Sequence, residues 1–186
     1  MRQYTKESIV GKTLELAERK PLTKITVREI CEACEITRNA FYYYFHDIFD
    51  VMEYFIDDSV EQLLRKPRTD AESVFFDMIE LFSTHRTVWL NLYKSVGHEE
   101  LERIIAGKLE ALVRVLLENT KGGSELSELD MQIISIFYRK TFFGILIEWL
   151  NGTKEENEEQ MRVVIERIRV IFDGQIELMV KNSLAN

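Results

Sequence analysis

The side chains best suited to chemistry lie in a short polar and aromatic run near the N-terminus. Arg38, Asn39, Tyr42 and Tyr43 share one arc of a helical wheel drawn at about 100° per residue. A guanidinium, a carboxamide and two phenols can hydrogen-bond to base edges and phosphate oxygens in a DNA major groove. The alternative is an ordinary solvated helix face, but two adjacent exposed tyrosines are costly there. We therefore interpret this arc as a DNA-contacting surface.

Two short helices joined by a tight turn would hold this arc in place. Thr26 followed by Glu29 is a capping-box pattern, which predicts that a helix begins at Thr26. Thr37 is the N-cap candidate of the second helix. Apolar residues at helical spacing on the first helix are Val27, Ile30, Cys31 and Cys34. The pattern predicts a helical hairpin.

The run ITVREICEACEITRNAFYYYFHD resembles the helix-turn-helix of tetracycline-repressor (TetR) family regulators. The resemblance implies an all-α fold of about nine helices, in which a helix-turn-helix DNA-binding domain precedes a helical ligand-binding and dimerisation domain. It also implies individual contacts. Thr26 and Thr37 would meet phosphates, Arg38 and Asn39 would approach bases, Tyr42 would hold a phosphate, and Tyr43 would lie in the groove.

Two positions depart from the family pattern. Glu35 stands where the family usually has Gly in the turn, which strains the backbone if that residue needs a positive φ and adds negative charge near DNA. Ile48 stands where a Lys commonly begins the fourth helix and clamps a phosphate. His46 is a candidate for part of that missing contact, and the alternative is a structural histidine at a helix junction.

Composition indicates a helical protein with a sizeable core. The chain has 186 residues, 46% of them hydrophobic, with only two prolines and eight glycines. Its net charge of −8 is uneven, because residues 1–46 carry eight Lys/Arg against six Asp/Glu. We predict a DNA-binding domain at 1–47 and a regulatory and dimerisation domain at 48–186. No apolar stretch follows Met1, so no signal peptide is expected and a cytoplasmic location is predicted.

Cys31 and Cys34 form a C-x-x-C pattern, which is also found in zinc sites and redox pairs. No second C-x-x-C occurs, and the three histidines are scattered rather than spaced as metal ligands. Both cysteines fall where small apolar residues would pack against the recognition helix. We favour this packing role and expect neither a metal nor a cofactor.

The middle of the chain is rich in aromatic residues. One interpretation is a pocket for a small-molecule effector, because ligand pockets are mainly apolar with a few polar anchors. The candidate pocket residues are Phe75, Phe82, Trp89 and Tyr93. The alternative is plain core. His85, Arg86, Arg139 and Lys140 are candidate anchors for an anionic group, although interface ion pairs or solvated ends are the favoured explanation for these cations.

The segment from Ser127 to Gly152 is the most apolar of the chain. Arg139, Lys140 and Glu148 interrupt it, so it lacks the run of about 18 apolar residues that a membrane span needs. A helix that is apolar almost all round must be buried on several sides, so we predict a homodimer interface. A last helix, predicted at 153–181, would complete it. The candidate interface residues are Phe137, Gly144, Trp149, Ile165, Ile168 and Phe172.

These patterns favour one function over two alternatives. The favoured function is a homodimeric regulator that responds to an unknown small-molecule effector and binds a pseudo-palindromic double-stranded DNA operator, with repression as the favoured role and no membrane partner. An enzyme is disfavoured, since the sequence has no nucleophile elbow, no metal-ligand spacing and no paired carboxylates in a context that would shift their pKa. The remaining alternative is a helical interaction protein that has a weakened DNA-binding head and acts through a protein partner.

Overall fold

The computed structural model describes residues 2–65, 77, 80–152, 163–164, 166–168 and 170–185. The described residues form helices, turns and loops without a β-strand, so the predicted all-α fold class is confirmed. They pack as two compact units. The first comprises Met1–Ser59 and His85–Ile104, and the second comprises Val60–Thr84 and Ile105–Asn186. The proposed division after residue 47 stays a prediction, because these units follow packing rather than chain order.

The helices of the first unit surround the predicted hairpin. They are α1 (Arg2–Ala17), a 3-10 helix (Leu22–Lys24), α2 (Val27–Cys34), α3 (Arg38–Tyr44), the greater part of α4 (Ile48–Arg65), α5 (Arg86–Val96) and the start of α6 (His98–Asn119). Helix α1 ends at Ala17, and residues 18–20 form a turn and a bend before Pro21.

The core of the first unit lies between α1, the hairpin and α5. Ile9, Ala17, Ile30 and Phe41 are fully buried there. Helix α5 packs on both α1 and the 3-10 helix. At this junction the Asn91 side chain donates a buried 2.7 Å hydrogen bond to the Ala17 carbonyl at the end of α1.

The second unit contains the rest of α6, a 3-10 helix (Gly123–Glu125), α7 (Glu128–Asn151) and α8 (Gln175–Leu184). Residues 80–84 and 170–172 are also helical. The Ser127 hydroxyl caps α7 by accepting the Asp130 N–H at 3.1 Å. One buried cluster joins α6, α7 and α8 through Val113, Leu117, Met131, Ile134, Ile176 and Val180. Among the described helices, none combines the length and apolar character needed to cross a membrane.

The end of the chain differs from the single helix expected over residues 153–181. Residues 153–162 lie outside the described part. A turn at residues 173 and 174 separates two helical segments, and α8 continues to Leu184. Gly174 adopts a φ of +71°, a left-handed conformation that interrupts a right-handed helix and that glycine reaches at little cost.

Two glycines of the second unit behave differently. Gly123 turns the chain after α6, and an added Cβ there would overlap the Leu117 carbonyl oxygen. Gly107, in contrast, lies inside α6, which continues through it, and a Cβ there would meet nothing within 4 Å.

Candidate nucleic-acid interface

The first hairpin helix begins at the predicted capping box. The Thr26 backbone N–H donates to Glu29 Oε2 at 2.9 Å, and the Glu29 N–H donates back to Thr26 Oγ1 at 3.2 Å. Lys20 adds a 2.6 Å contact to the same carboxylate. The hydrogen bond from Lys20, followed by those from Thr26, lowers the pKa of Glu29. The helix start predicted from Thr26 and Glu29 is therefore confirmed.

The turn of the hairpin depends on a strained residue. Glu35 has φ 55° and ψ 41°, the left-handed conformation. The Ile36 N–H donates to the Cys31 carbonyl at 3.0 Å, and the Glu35 N–H donates to the Glu32 carbonyl at 3.3 Å. These two bonds make a Schellman motif, whose left-handed position is usually a glycine. The turn does need the positive φ that the family's glycine would supply.

The second hairpin helix presents its polar arc to solvent. The Thr37 hydroxyl caps α3 by accepting the Ala40 N–H at 3.2 Å. Phe41 is fully buried, whereas Tyr42 and Tyr43 are 54% and 64% exposed. All seven side chains predicted to contact DNA are exposed, namely Thr26, Thr37, Arg38, Asn39, Tyr42, Tyr43 and His46. The structure therefore brings an accessible set of donors together on one hairpin.

Aromatic packing fixes this arc from behind. The Phe41 and Phe45 rings lie 6.1 Å apart, and Phe45 meets Tyr54 of α4 edge to face at 5.8 Å. Lys6 Nζ lies 3.6 Å from the centroid of the Tyr54 ring, a cation–π contact that ties α1 to α4. Sequence reasoning missed this contact, because it joins residues far apart in the chain.

The start of α4 is held by hydrogen bonds rather than by a phosphate-binding lysine. Asp47 Oδ1 accepts the Asp50 N–H at 2.9 Å, and the His46 N–H donates to Asp50 Oδ2 at 2.8 Å. Ile48 is half-buried. The His46 backbone is thus fixed while its ring stays exposed beside α3.

The two cysteines are packed into the hairpin. Cys31 is 5% exposed, and Cys34 is half-buried with its thiol 3.6 Å from the Ser8 carbonyl. Burial raises the pKa of both thiols, so both are poorer nucleophiles and metal ligands than an ordinary cysteine. No trio of His, Cys, Asp or Glu is placed to hold a metal in the described ranges. This geometry agrees with a packing role.

The candidate pocket residues fall in different units. Phe82 belongs to the second unit and meets Phe142 of α7 edge to face at 5.2 Å. Trp89 belongs to the first unit, where it is buried and its ring centroid lies 6.3 Å from that of Phe55. Tyr93, in the same unit, is half-buried. Phe75 lies outside the described residues. The pocket formed by these four residues stays a prediction, since the candidates are divided between the two units and the part of the chain outside the described residues.

The candidate interface residues differ in how far they are exposed. Phe137 and Gly144 are exposed on the outer face of α7. Trp149, expected at the interface, is only 4% exposed, because it repeats the helical phase of buried Met131 and so faces the core of the second unit. Ile168 and Phe172 are half-buried, and Ile165 lies outside the described part.

Sequence reasoning missed a stripe of exposed apolar residues on α7. Leu129, Ile133 and Ile136 are 65%, 55% and 49% exposed, and Phe137 is 43% exposed. They recur at helical spacing, so one face of the helix carries them all. The sequence shows this periodicity, but the opposite face of α7 is equally apolar. The pattern alone therefore does not show which face is exposed.

Comparisons with known proteins cover both parts of the chain. Residues 9–53 match the family described as bacterial regulatory proteins, tetR family, and residues 69–169 match its C-terminal counterpart, described as transcriptional regulator C-terminal region. The dihydroxyacetone kinase operon activator DhaS has a similar fold, with a TM-score of 0.72, 13% identity, and coverage of 96% of this chain and 97% of that one. A tetR-family transcriptional regulator from Streptomyces coelicolor gives a TM-score of 0.56 at 15% identity, with 97% and 91% covered. Because the C-terminal match alone spans more than half of the chain and the N-terminal match spans the hairpin, this protein belongs to the TetR family of transcriptional regulators.

Proposed function

We propose that this regulator is a cytoplasmic homodimer that responds to a small molecule, binds a pseudo-palindromic operator as a repressor, and catalyses no reaction. The observation that carries the proposal is the exposed polar arc on α3, which is backed by the buried side chains of Phe41 and Phe45. Family membership supports a DNA-binding regulator.

The candidate DNA-contacting side chains divide into those that would hydrogen-bond to bases and those that would bind the phosphate backbone of DNA. Arg38 and Asn39 lie in the first turn of α3 and carry the groups that hydrogen-bond to guanine and adenine edges. Tyr42 and the two capping threonines present hydroxyls, which suit phosphate oxygens. Tyr43 would lie in the groove, and His46 would add a contact at its edge.

The dimer proposal is supported by the two apolar faces of α7. Its inner face carries Phe142, Leu146 and Trp149, all at most 4% exposed. Its outer face carries the exposed stripe from Leu129 to Phe137, and Gly144 beside it leaves open space within 4 Å. A second copy packed across a twofold axis would bury this outer face against its own mate. Two heads related by that axis would read half-sites about 34–36 Å apart.

A second candidate function follows from the turn. The exposed Glu35 carboxylate lies between the two hairpin helices, and half-buried Ile48 supplies no cation for a phosphate. Both features weaken attraction to DNA and favour a helical interaction protein that acts through a protein partner. Selection of bound DNA distinguishes the two functions.

The test is to select bound sequences from a random duplex pool with purified full-length protein at near-physiological salt. The proposal expects an enriched inverted repeat with its half-sites one helical turn apart or at a related spacing. If an intact dimer enriches no sequence, with or without cell-extracted small molecules, the operator-binding function is refuted. A reporter gene placed behind the selected repeat then separates repression from activation.

Two substitutions on α3 should weaken DNA binding in different ways. Arg38→Ala should relax the preference at particular base pairs, at about 1–3 kcal/mol per lost base contact. Tyr42→Phe should weaken binding to all sequences alike, because a phosphate contact carries no sequence information. Affinities for the selected repeat and its single-base variants check both. An unchanged base preference in Arg38→Ala would remove Arg38 from the base-reading set.

A further inference from the structure

The inner face of α7 contains two polar side chains, each with a buried donor atom that makes no hydrogen bond within the described residues. Ser135 is 2% exposed, and Arg139 is half-buried with its Nε atom inside the protein. Within the described residues, neither Ser135 Oγ nor Arg139 Nε has a hydrogen-bond partner. Buried polar atoms are nearly always paired, so two unsatisfied donors on one helix require an explanation.

The two groups lie together on an apolar wall. Ser135 and Arg139 are four residues apart, so they lie one above the other on the same face of the helix. Phe142 follows in the next turn and packs edge to face against Phe82 at 5.2 Å. The same face continues with Leu146, which is 4% exposed. A cation and a hydroxyl are thus set among aromatic and aliphatic side chains.

The carboxylates at the start of α7 are engaged elsewhere. Glu128 pairs with Arg114 at 2.9 Å, and Asp130 accepts a 2.6 Å hydrogen bond from Ser127. A guanidinium nitrogen that is buried without a hydrogen-bond partner is unfavourable, because the hydration that this donor loses is not replaced. An anionic group from outside the chain would remove this penalty by accepting hydrogen bonds from Arg139 and Ser135.

We propose that Ser135 and Arg139 hold the anionic head of the effector, a small monocarboxylate whose apolar body lies against the aromatic wall formed by Phe82 and Phe142. This inference rests on the ligand-responsive function proposed above and specifies the chemistry of its ligand. The guanidinium offers two parallel N–H donors to a carboxylate, and the serine hydroxyl donates a third hydrogen bond. His85 and Arg86, which the sequence also offered as anion anchors, belong to the first unit.

The direct test is titration calorimetry on the full-length protein with two matched pairs of probes, octanoate with octanamide and phenylacetate with phenylacetamide. At least one carboxylate should bind about tenfold or more tightly than its amide, the scale of a charge-assisted hydrogen bond. Arg139→Met should abolish that preference, Arg139→Lys should keep part of it, and Ser135→Ala should weaken carboxylate binding severalfold. The matched control is Lys121→Met, which removes the same charge from an exposed loop of the second unit and should leave binding unchanged.

The Tm of Arg139→Met, measured without ligand, shows whether this variant loses binding only because it is less stable. Because Arg139→Met replaces a half-buried cation, whose Nε has no hydrogen-bond partner within the described residues, with an apolar chain of similar length, its Tm should rise by about 2–4 °C. A lower Tm would mean that Arg139 stabilises the fold, and would overturn the proposal. Equal binding of acids and amides, or full carboxylate affinity in Arg139→Met, would overturn it as well. Neither readout involves DNA, so failure to select an operator would refute the proposed function alone.

Discussion

Glu35 shows how a single residue limits the hairpin. Its left-handed conformation is imposed by two backbone hydrogen bonds that close the end of α2. A residue with a Cβ atom pays about 1–2 kcal/mol for this conformation, whereas glycine reaches it freely. The same side chain places a negative charge beside the arc that would face phosphates. Stability and DNA affinity are therefore both limited at one position.

Glu35→Gly should stabilise the protein by about 0.5–1 kcal/mol, after the greater freedom of glycine in the unfolded chain is subtracted. Denaturant unfolding measures this change. Glu35→Ala is the matched control, because it removes the same charge without relieving the strain. Both variants should bind the operator more tightly than the parent, but only the glycine variant should be more stable. Equal stability of the two would show that the turn is not strained.

At the scale of elements, α5 supports the DNA-reading hairpin indirectly, through α1. It packs on α1 and on the 3-10 helix, and Asn91 on it satisfies the carbonyl of Ala17, the last residue of α1. The last carbonyls of a helix have no partner within the helix, so a side chain from a neighbour must supply one when the end is buried. This bond therefore adds to the packing that holds α1 against the hairpin.

Asn91→Ala should destabilise the protein by about 1–3 kcal/mol, because it leaves a buried carbonyl unsatisfied. The control is Asn119→Ala, where an asparagine makes an exposed 2.9 Å bond to the Val115 carbonyl within its own helix. That change should cost less than about 0.5 kcal/mol. The free energy of unfolding of the two variants checks the difference. Equal losses would mean that the Asn91 bond has no special role.

At the scale of the whole molecule, the apolar stripe on α7 is the surface that we propose for dimerisation. Contiguous apolar surface of this kind is uncommon on monomers and typical of interfaces. The buried position of Trp149 changes how the interface should be tested. A charge at Trp149 would disrupt the core of the second unit, and any loss of dimer would then report unfolding. A charge on the exposed stripe avoids this ambiguity.

Ile133→Glu should convert the dimer to a folded monomer, since the two copies would place like charges in an apolar contact. Light scattering gives the mass, and circular dichroism confirms that the helices remain. Val115→Glu is the control, because Val115 is an exposed apolar residue of α6 outside the stripe. A dimeric Ile133→Glu variant would place the interface elsewhere on the protein.

The sequence by itself determined the helical class, the family and the hairpin. Thr26 with Glu29 and Thr37 with Ala40 form their hydrogen bonds within four residues, so the helix starts were readable locally. The periodicity of apolar residues likewise marked α2. The exposure of the DNA-facing arc followed from the same helical phase.

Only the tertiary structure decided which apolar surfaces are buried and which polar groups meet. The two faces of α7 are similar in composition, and packing against α6 and α8 determines which becomes core and which carries Ile133. The contact of Lys6 with Tyr54 and the bond from Asn91 to Ala17 join distant parts of the chain. Arg139 was one of four cations that the sequence offered as anion anchors, and its buried Nε atom without a hydrogen-bond partner within the described residues became visible only in the folded chain. Capping and periodicity act within a few residues, whereas burial depends on neighbours that folding brings together from far along the chain.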